Sequence, residues 1–339
     1  MNKSVFLGTL AATALVAGLA QAQTTLETVK NRGELVCGSN TGQAGFGAPD
    51  ANGVWQGFDV GFCRALAAAV LSDPNAVTFV PLTSQTRFSA LASGEIDVLS
   101  RNTTWTFTRD VDLNFTFVGT NYYDGQGFMV NRELGVSSAL ELDGATVCIE
   151  TGTTTELNLA DYFRVNGMSY EPVPVDTAAE AQQQYLAGAC DVYTTDISAL
   201  ASSRAAFAEP GDHVILPEVV SKEPLGPVVR HGDDNWADIV QWTLFALIAA
   251  EELGITSANL EELKAGSNNP EINRILGNDG GFGEMLGLDN EWAARAIAAV
   301  GNYGELFSTT IGDQTPIGLA RGLNAQWTQG GLLYAPPFR

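Results

Sequence analysis

The chain has 339 residues, with 39 acidic side chains against 17 lysines and arginines and a formal charge of −22. That length suits two lobes, each able to bury its own core, while such acidity repels phosphate backbones and anionic membranes and argues against nucleic acid as a partner. The two histidines, His213 and His231, lie far from any cysteine in sequence and no HExxH spacing occurs, so no metal site and no cofactor is expected.

The chain opens on a leader. Lys3 supplies a positive start, Val5 to Leu19 is mostly apolar, and Ala20-Gln21-Ala22 fits a small-x-small cleavage pattern. The apolar run is shorter than the roughly 20 residues that span a bilayer, which favours a cleaved signal peptide over an anchor. Residues 1–22 are therefore expected to be removed, leaving a mature chain from Gln23 with 16 basic residues and a charge of −23. Export would make disulfides persistent. Cys37, Cys63, Cys148 and Cys190 allow three connectivities that the sequence alone does not separate, and four buried thiols are the alternative. Keeping each pair within one lobe of the layout below favours Cys37–Cys63 and Cys148–Cys190.

Glu34 to Gly38 reads as a strand running into the glycine-rich loop Ser39 to Gly47. Phe58 to Leu71 is a helix, with Phe58, Phe62, Leu66, Ala69 and Val70 on one face. A strand from Val77 to Pro81, a helix from Thr86 to Ala92 ended by Gly94, and a strand from Ile96 to Leu99 follow. Gly127 to Asn131 reads as an extended crossing into a second lobe. There the grammar repeats: strand Ala145 to Glu150, helix Thr153 to Val165 opened by a Thr153/Glu156 capping box, strand Tyr170 to Val175, helix Thr177 to Ala187, strand Cys190 to Tyr193. Pro217 to Arg230 is the return, and helices Trp236 to Glu252 and Asn290 to Val300 fall back on the first lobe. The layout is 23–128 for lobe 1, 129–220 for lobe 2, 221–305 for the return segment, and 306–339 for an extended surface tail. Alternating strands and helices predict an α/β protein, each lobe a central sheet covered by helices.

Ligands of open α/β sheets collect beyond the carboxyl ends of the strands. Those ends carry Ser39, Asn40 and Thr41; Arg101, Asn102, Thr103 and Thr104, with Arg109 beyond; Thr151, Gly152, Thr153 and Thr154 at a helix start; and Thr194, Thr195 and Asp196. Arginine and a helix N-terminus suit an α-carboxylate, and a carboxylate with hydroxyls suits an α-ammonium. Arg109 and Asp196 can take these opposite roles from opposite lobes. Their plainer alternatives are a surface pairing of Arg109 with Asp110 or Asp112 and an N-cap role for Asp196.

The stretches Gly57-Phe-Asp-Val-Gly-Phe-Cys63, Thr83-Ser-Gln-Thr-Arg87-Phe, Ser100-Arg-Asn-Thr-Thr104 with Arg109, Thr151-Gly-Thr-Thr-Thr-Glu156 and Tyr193-Thr-Thr-Asp196 carry a resemblance. In this order, the chain resembles a periplasmic solute-binding protein of a polar amino-acid ABC importer over nearly its whole mature length. It is most similar to the branch for glutamate, glutamine, aspartate and asparagine, or for L-amino acids generally. The resemblance implies a type II periplasmic-binding-protein fold with a two-stranded hinge, no chemistry of its own, and delivery of ligand to a membrane permease by a monomer. It also implies roles. Arg109 clamps the α-carboxylate, Thr104 and the Asn102 backbone add bonds, Thr153 and Thr154 contribute from the second lobe, and Asp196 holds the α-ammonium. Ser84 and Arg87 match positions that bind an acidic side chain.

Two departures bear on the ligand. Asn40 stands where some relatives carry a charged selectivity residue, and Ala178 where an acidic-ligand binder uses histidine. Both leave the side-chain end more neutral, so amides are expected beside acids. The rival class is a dehydratase-like enzyme on the same fold, for which Glu150 is the only acidic candidate beyond Asp196 and no histidine falls in these loops.

Overall fold

The computed structural model describes residues 23–339; the expected leader, 1–22, lies outside them. Two five-stranded sheets organise the chain. The first runs Val77–Leu82, Leu35–Asn40, Val98–Leu99, Val228–Arg230, Phe115–Phe117, and the second Tyr170–Val175, Ala145–Glu150, Val192–Asp196, Gln126–Asn131, His213–Ile215. In each, three parallel strands are followed by strands that join antiparallel. The parallel strands share a direction, so their carboxyl ends open on one edge of each lobe.

The helix Phe58–Leu71 forms over the expected span, and Asp234–Glu252 and Trp292–Val300 pack with it in the first lobe's core. Trp236 anchors this layer to the sheet through Nε1–H donated to the Asp97 carbonyl, 3.0 Å away. Disulfides join Cys37 to Cys63 and Cys148 to Cys190, one within each lobe, closing 26- and 42-residue separations. Such cross-links each restrict the unfolded chain by about 3–4 kcal/mol in chain-entropy terms.

Three expectations are corrected. Gly127 to Asn131 is no crossing: Gln126–Asn131 is a buried strand of the second sheet, paired with Val192–Asp196. The chain crosses one step earlier, at Tyr122–Asp124, which pairs antiparallel with Glu223–Leu225. The return strand is held close at Gly226, where a Cβ would come within 2.0 Å of the Gly119 carbonyl. Secondly, the last thirty residues do not simply lie on the surface. Leu333 and Phe338 are buried, with Phe338 against Trp242 and Trp292, and Asn324 bonds both the N–H and the C=O of Tyr123 in the crossing strand. Thirdly, the capping box at Thr153 is half formed: Thr153 accepts from the Glu156 N–H, while the Glu156 carboxylate accepts from Gly152 instead.

Among the described residues no helix is long and apolar enough to cross a membrane, and no cluster of three metal-ligating side chains occurs.

Candidate functional site

The facing strand ends enclose a cavity between the lobes, with about 510 Å³ of empty space including its mouth.

The first lobe builds one wall from three loops. Asn40, the last residue of its strand, donates from Nδ2 to Gln43 Oε1 at 3.2 Å. After Val77–Leu82, Thr83 and Thr86 bond each other's backbone N–H, a turn that sets Ser84 at the edge and Arg87 at the start of helix Arg87–Ser93. Arg87 is buried over the Phe88 ring, and its Nε has no partner among the described residues. After Val98–Leu99, Arg101 is held by Nε–H donated to the Leu82 carbonyl. Asn102 adopts a left-handed φ of 40°, and its N–H donates to buried Asp59. Burial pushes the Asp59 carboxyl up to about 6.

The second lobe contributes a helix start and a strand end. Thr153 caps helix Thr154–Val165, and the Thr154 hydroxyl donates to Glu223 at 2.8 Å while touching the Thr104 hydroxyl at 3.3 Å. Asp196 ends its strand at the N-cap position of Ile197–Ala206, yet its side chain makes no capping bond. It faces the cavity instead.

Buried charge dominates the electrostatics. Burial, then Asp124 and Glu223, push the Asp196 carboxyl well above the usual carboxylate range; Arg87 and Arg109 oppose this. Burial beside Arg101 and Arg109 likewise makes the Arg87 cation costly. These are groups that a ligand of opposite local charge would stabilise.

The lobes meet around this cavity. Glu150 of the second lobe accepts from Ser84 at 2.6 Å and Arg101 at 3.3 Å, Gln85 donates to Thr151 and Asp176, and Ser202 donates to the Ala44 carbonyl. The arrangement is a closed cleft.

Of the sequence-predicted residues, Ser84, Arg87, Asn102, Thr104, Thr153, Thr154 and Asp196 line the cavity, as do Asn40 and Ala178. Arg109 does not. It sits behind Thr104, donating to the Thr104 carbonyl at 2.9 Å with its guanidinium over Phe88. Its surface alternative also fails, because Arg109 is buried and Asp110 accepts from Trp105 instead. Sequence reasoning gave no binding role to Arg101, Glu150, Gln43, Gln182 or Ser203, all of which line the cavity. Arg101 and Glu150 were visible at strand ends; the other three lie in a loop or beyond the first helical turn.

The model of the bacterial extracellular solute-binding proteins, family 3, matches residues 35–258. The glutamate/glutamine/aspartate/asparagine-binding protein of Rhodobacter capsulatus is 66% identical over 100% of both chains. The general L-amino acid-binding periplasmic protein of Rhizobium johnstonii is 56% identical over 100% of this chain and 99% of its own. A solved ABC transporter periplasmic binding protein from Brucella ovis, with glutathione bound, superposes with a TM-score of 0.91 at 55% identity, covering 94% of this chain and 100% of its own. The two-lobed fold is thus the type II fold of periplasmic binding proteins, and the chain belongs to family 3 of the bacterial extracellular solute-binding proteins.

Proposed function

We propose that the chain is a periplasmic receptor that captures a free polar L-amino acid by lobe closure and presents it to the membrane permease of an ABC importer. Glutamate, glutamine, aspartate and asparagine are the ligands, acting on a monomer exported by cleavage after Ala22. One observation carries this reading: opposite lobes bring a helix start with Thr153 and Thr154, an uncapped carboxylate at Asp196, and the buried arginines Arg87 and Arg101 to one small cavity. The name of the Rhodobacter capsulatus relative supports the same four ligands, and that of the Rhizobium johnstonii relative supports L-amino acids generally.

In this reading the α-carboxylate lies against Thr104, Thr153 and Thr154. Arg109, one of whose N–H groups is committed to the Thr104 carbonyl, supplies the charge. The ammonium goes to Asp196 and the Asn102 loop. Ser84 and Arg87 take the side chain, beside the neutral Asn40 and Ala178. The protein performs no chemistry: a bridging ligand adds free energy only to the closed form and raises its population. Glutathione in the Brucella ovis relative presents the same α-amino and α-carboxylate groups on its γ-glutamyl end, so it belongs in any ligand panel.

Asp196→Asn and Arg109→Ala test these roles. Each is expected to weaken every amino acid by roughly a hundredfold or more, since each strands a buried ligand charge. Retained affinity for any of the four would remove that residue's role.

A further inference from the structure

The carboxylate of Glu150 has no part in the roles above, yet it stands inside the cavity at the end of its strand. It belongs to the second lobe, while both of its side-chain partners, Ser84 and Arg101, belong to the first. Both bonds fall on Oε1; Oε2 receives no donor from the described residues. The carboxylate and the Arg101 guanidinium are both almost wholly buried, with side-chain exposures of 12% and 5%. The pair is therefore poorly screened.

Charge balance gives this carboxylate a consequence. The cavity and its wall hold three buried arginines, Arg87, Arg101 and Arg109, against Asp196 and Glu150, with Asp124 and Glu223 behind Asp196 and Asp59, its carboxyl pushed up by burial, beneath Asn102. A zwitterionic ligand matches Arg109 with its carboxylate and Asp196 with its ammonium. Glu150 matches Arg101. A single arginine, Arg87, is left to meet the ligand side chain, and its Nε is an unpartnered buried donor. An amide then satisfies both ends of the site, its oxygen on Arg87 and its N–H on Glu150 Oε2. An acid gains the Arg87 charge but meets the Glu150 charge.

We infer that Glu150 is a specificity-determining residue that holds amide ligands level with acidic ones. The inference rests on the amino-acid reading above. Replacing Glu150 by its isosteric amide keeps the shape of the cavity, removes the repulsion of an acidic side chain and frees Arg101 to bind it. Gln85→Ala instead removes hydrogen bonds between the lobes outside the cavity lining and leaves the charge in place.

The test is isothermal titration of the mature wild type, Glu150→Gln and Gln85→Ala with glutamate, glutamine, aspartate and asparagine. In Glu150→Gln the preference for glutamate over glutamine, and for aspartate over asparagine, should rise by about tenfold or more, the scale set by one poorly screened charge. In Gln85→Ala the four affinities should shift together with those preferences unchanged. A parallel loss of all four ligands in Glu150→Gln would make Glu150 a contact between lobes or to the ammonium, and would overturn the inference. Failure of all four to bind the wild type would overturn the amino-acid reading itself, a different result from an unmoved preference.

Discussion

Asp196 shows how one residue links sequence position, burial and binding. It sits where a helix cap is expected, but its side chain is turned away from the cap and into the cavity, among Asp124, Glu223, Arg87 and Arg109. Burial and the two carboxylates favour its protonated form; Asp124 is itself pushed up to about 6 by burial. A bound ammonium favours the ionised form. Below the raised pKa the free pocket thus holds a proton that the complex does not, and binding must release it. Affinity for glutamine, whose side chain does not titrate, is expected to fall as the pH is lowered from about 8 to about 5. Titration calorimetry across that range checks it, and a flat profile would show Asp196 already ionised without ligand. Most of this site was legible because strand ends and a helix start are local features. Gln43, Gln182 and Ser203 were not, because the polar lining of a loop or a second helical turn is indistinguishable from a solvated face until a second lobe covers it. Arg109 was legible as a candidate cation, but not its seat behind Thr104, which depends on the Phe88 ring.

At the scale of elements, the strands that failed to register are those with the least pattern. Tyr122–Asp124 and Glu223–Leu225 are three residues each, too short to show alternation. Gln126–Asn131 is buried along nearly its whole length, so it alternates no more than a linker does. The tail escaped for a related reason: Leu333 and Phe338 belong to no helical or strand period, and only the groove beneath them makes them core. Phe338 lies 5.0 Å from the Trp242 ring and its carbonyl accepts from Arg274. Phe338→Ala should therefore cost about 3–5 kcal/mol of stability in urea unfolding. A cost below about 1 kcal/mol, the usual range for exposed substitutions, would return the tail to the surface role that the sequence suggested.

The molecule as a whole sets a repulsive acidic surface around a cavity lined by two arginines, Arg87 and Arg101, and two carboxylates, Glu150 and Asp196. Beyond roughly 8 Å at physiological salt the surface charge is screened, so the field felt by a bound ligand is that of the buried residues. Closure is what makes that field strong. The Ser84–Glu150 and Thr104–Thr154 contacts between the lobes lie in the cavity wall, so the closure that forms them also completes the site. Isothermal titration of the ligand-stripped mature chain, Gln23 to Arg339, against all twenty amino acids and glutathione tests this account most directly. One-to-one binding of glutamate, glutamine, aspartate and asparagine at about micromolar affinity or tighter is the result it predicts. Silence across all twenty amino acids would contradict it.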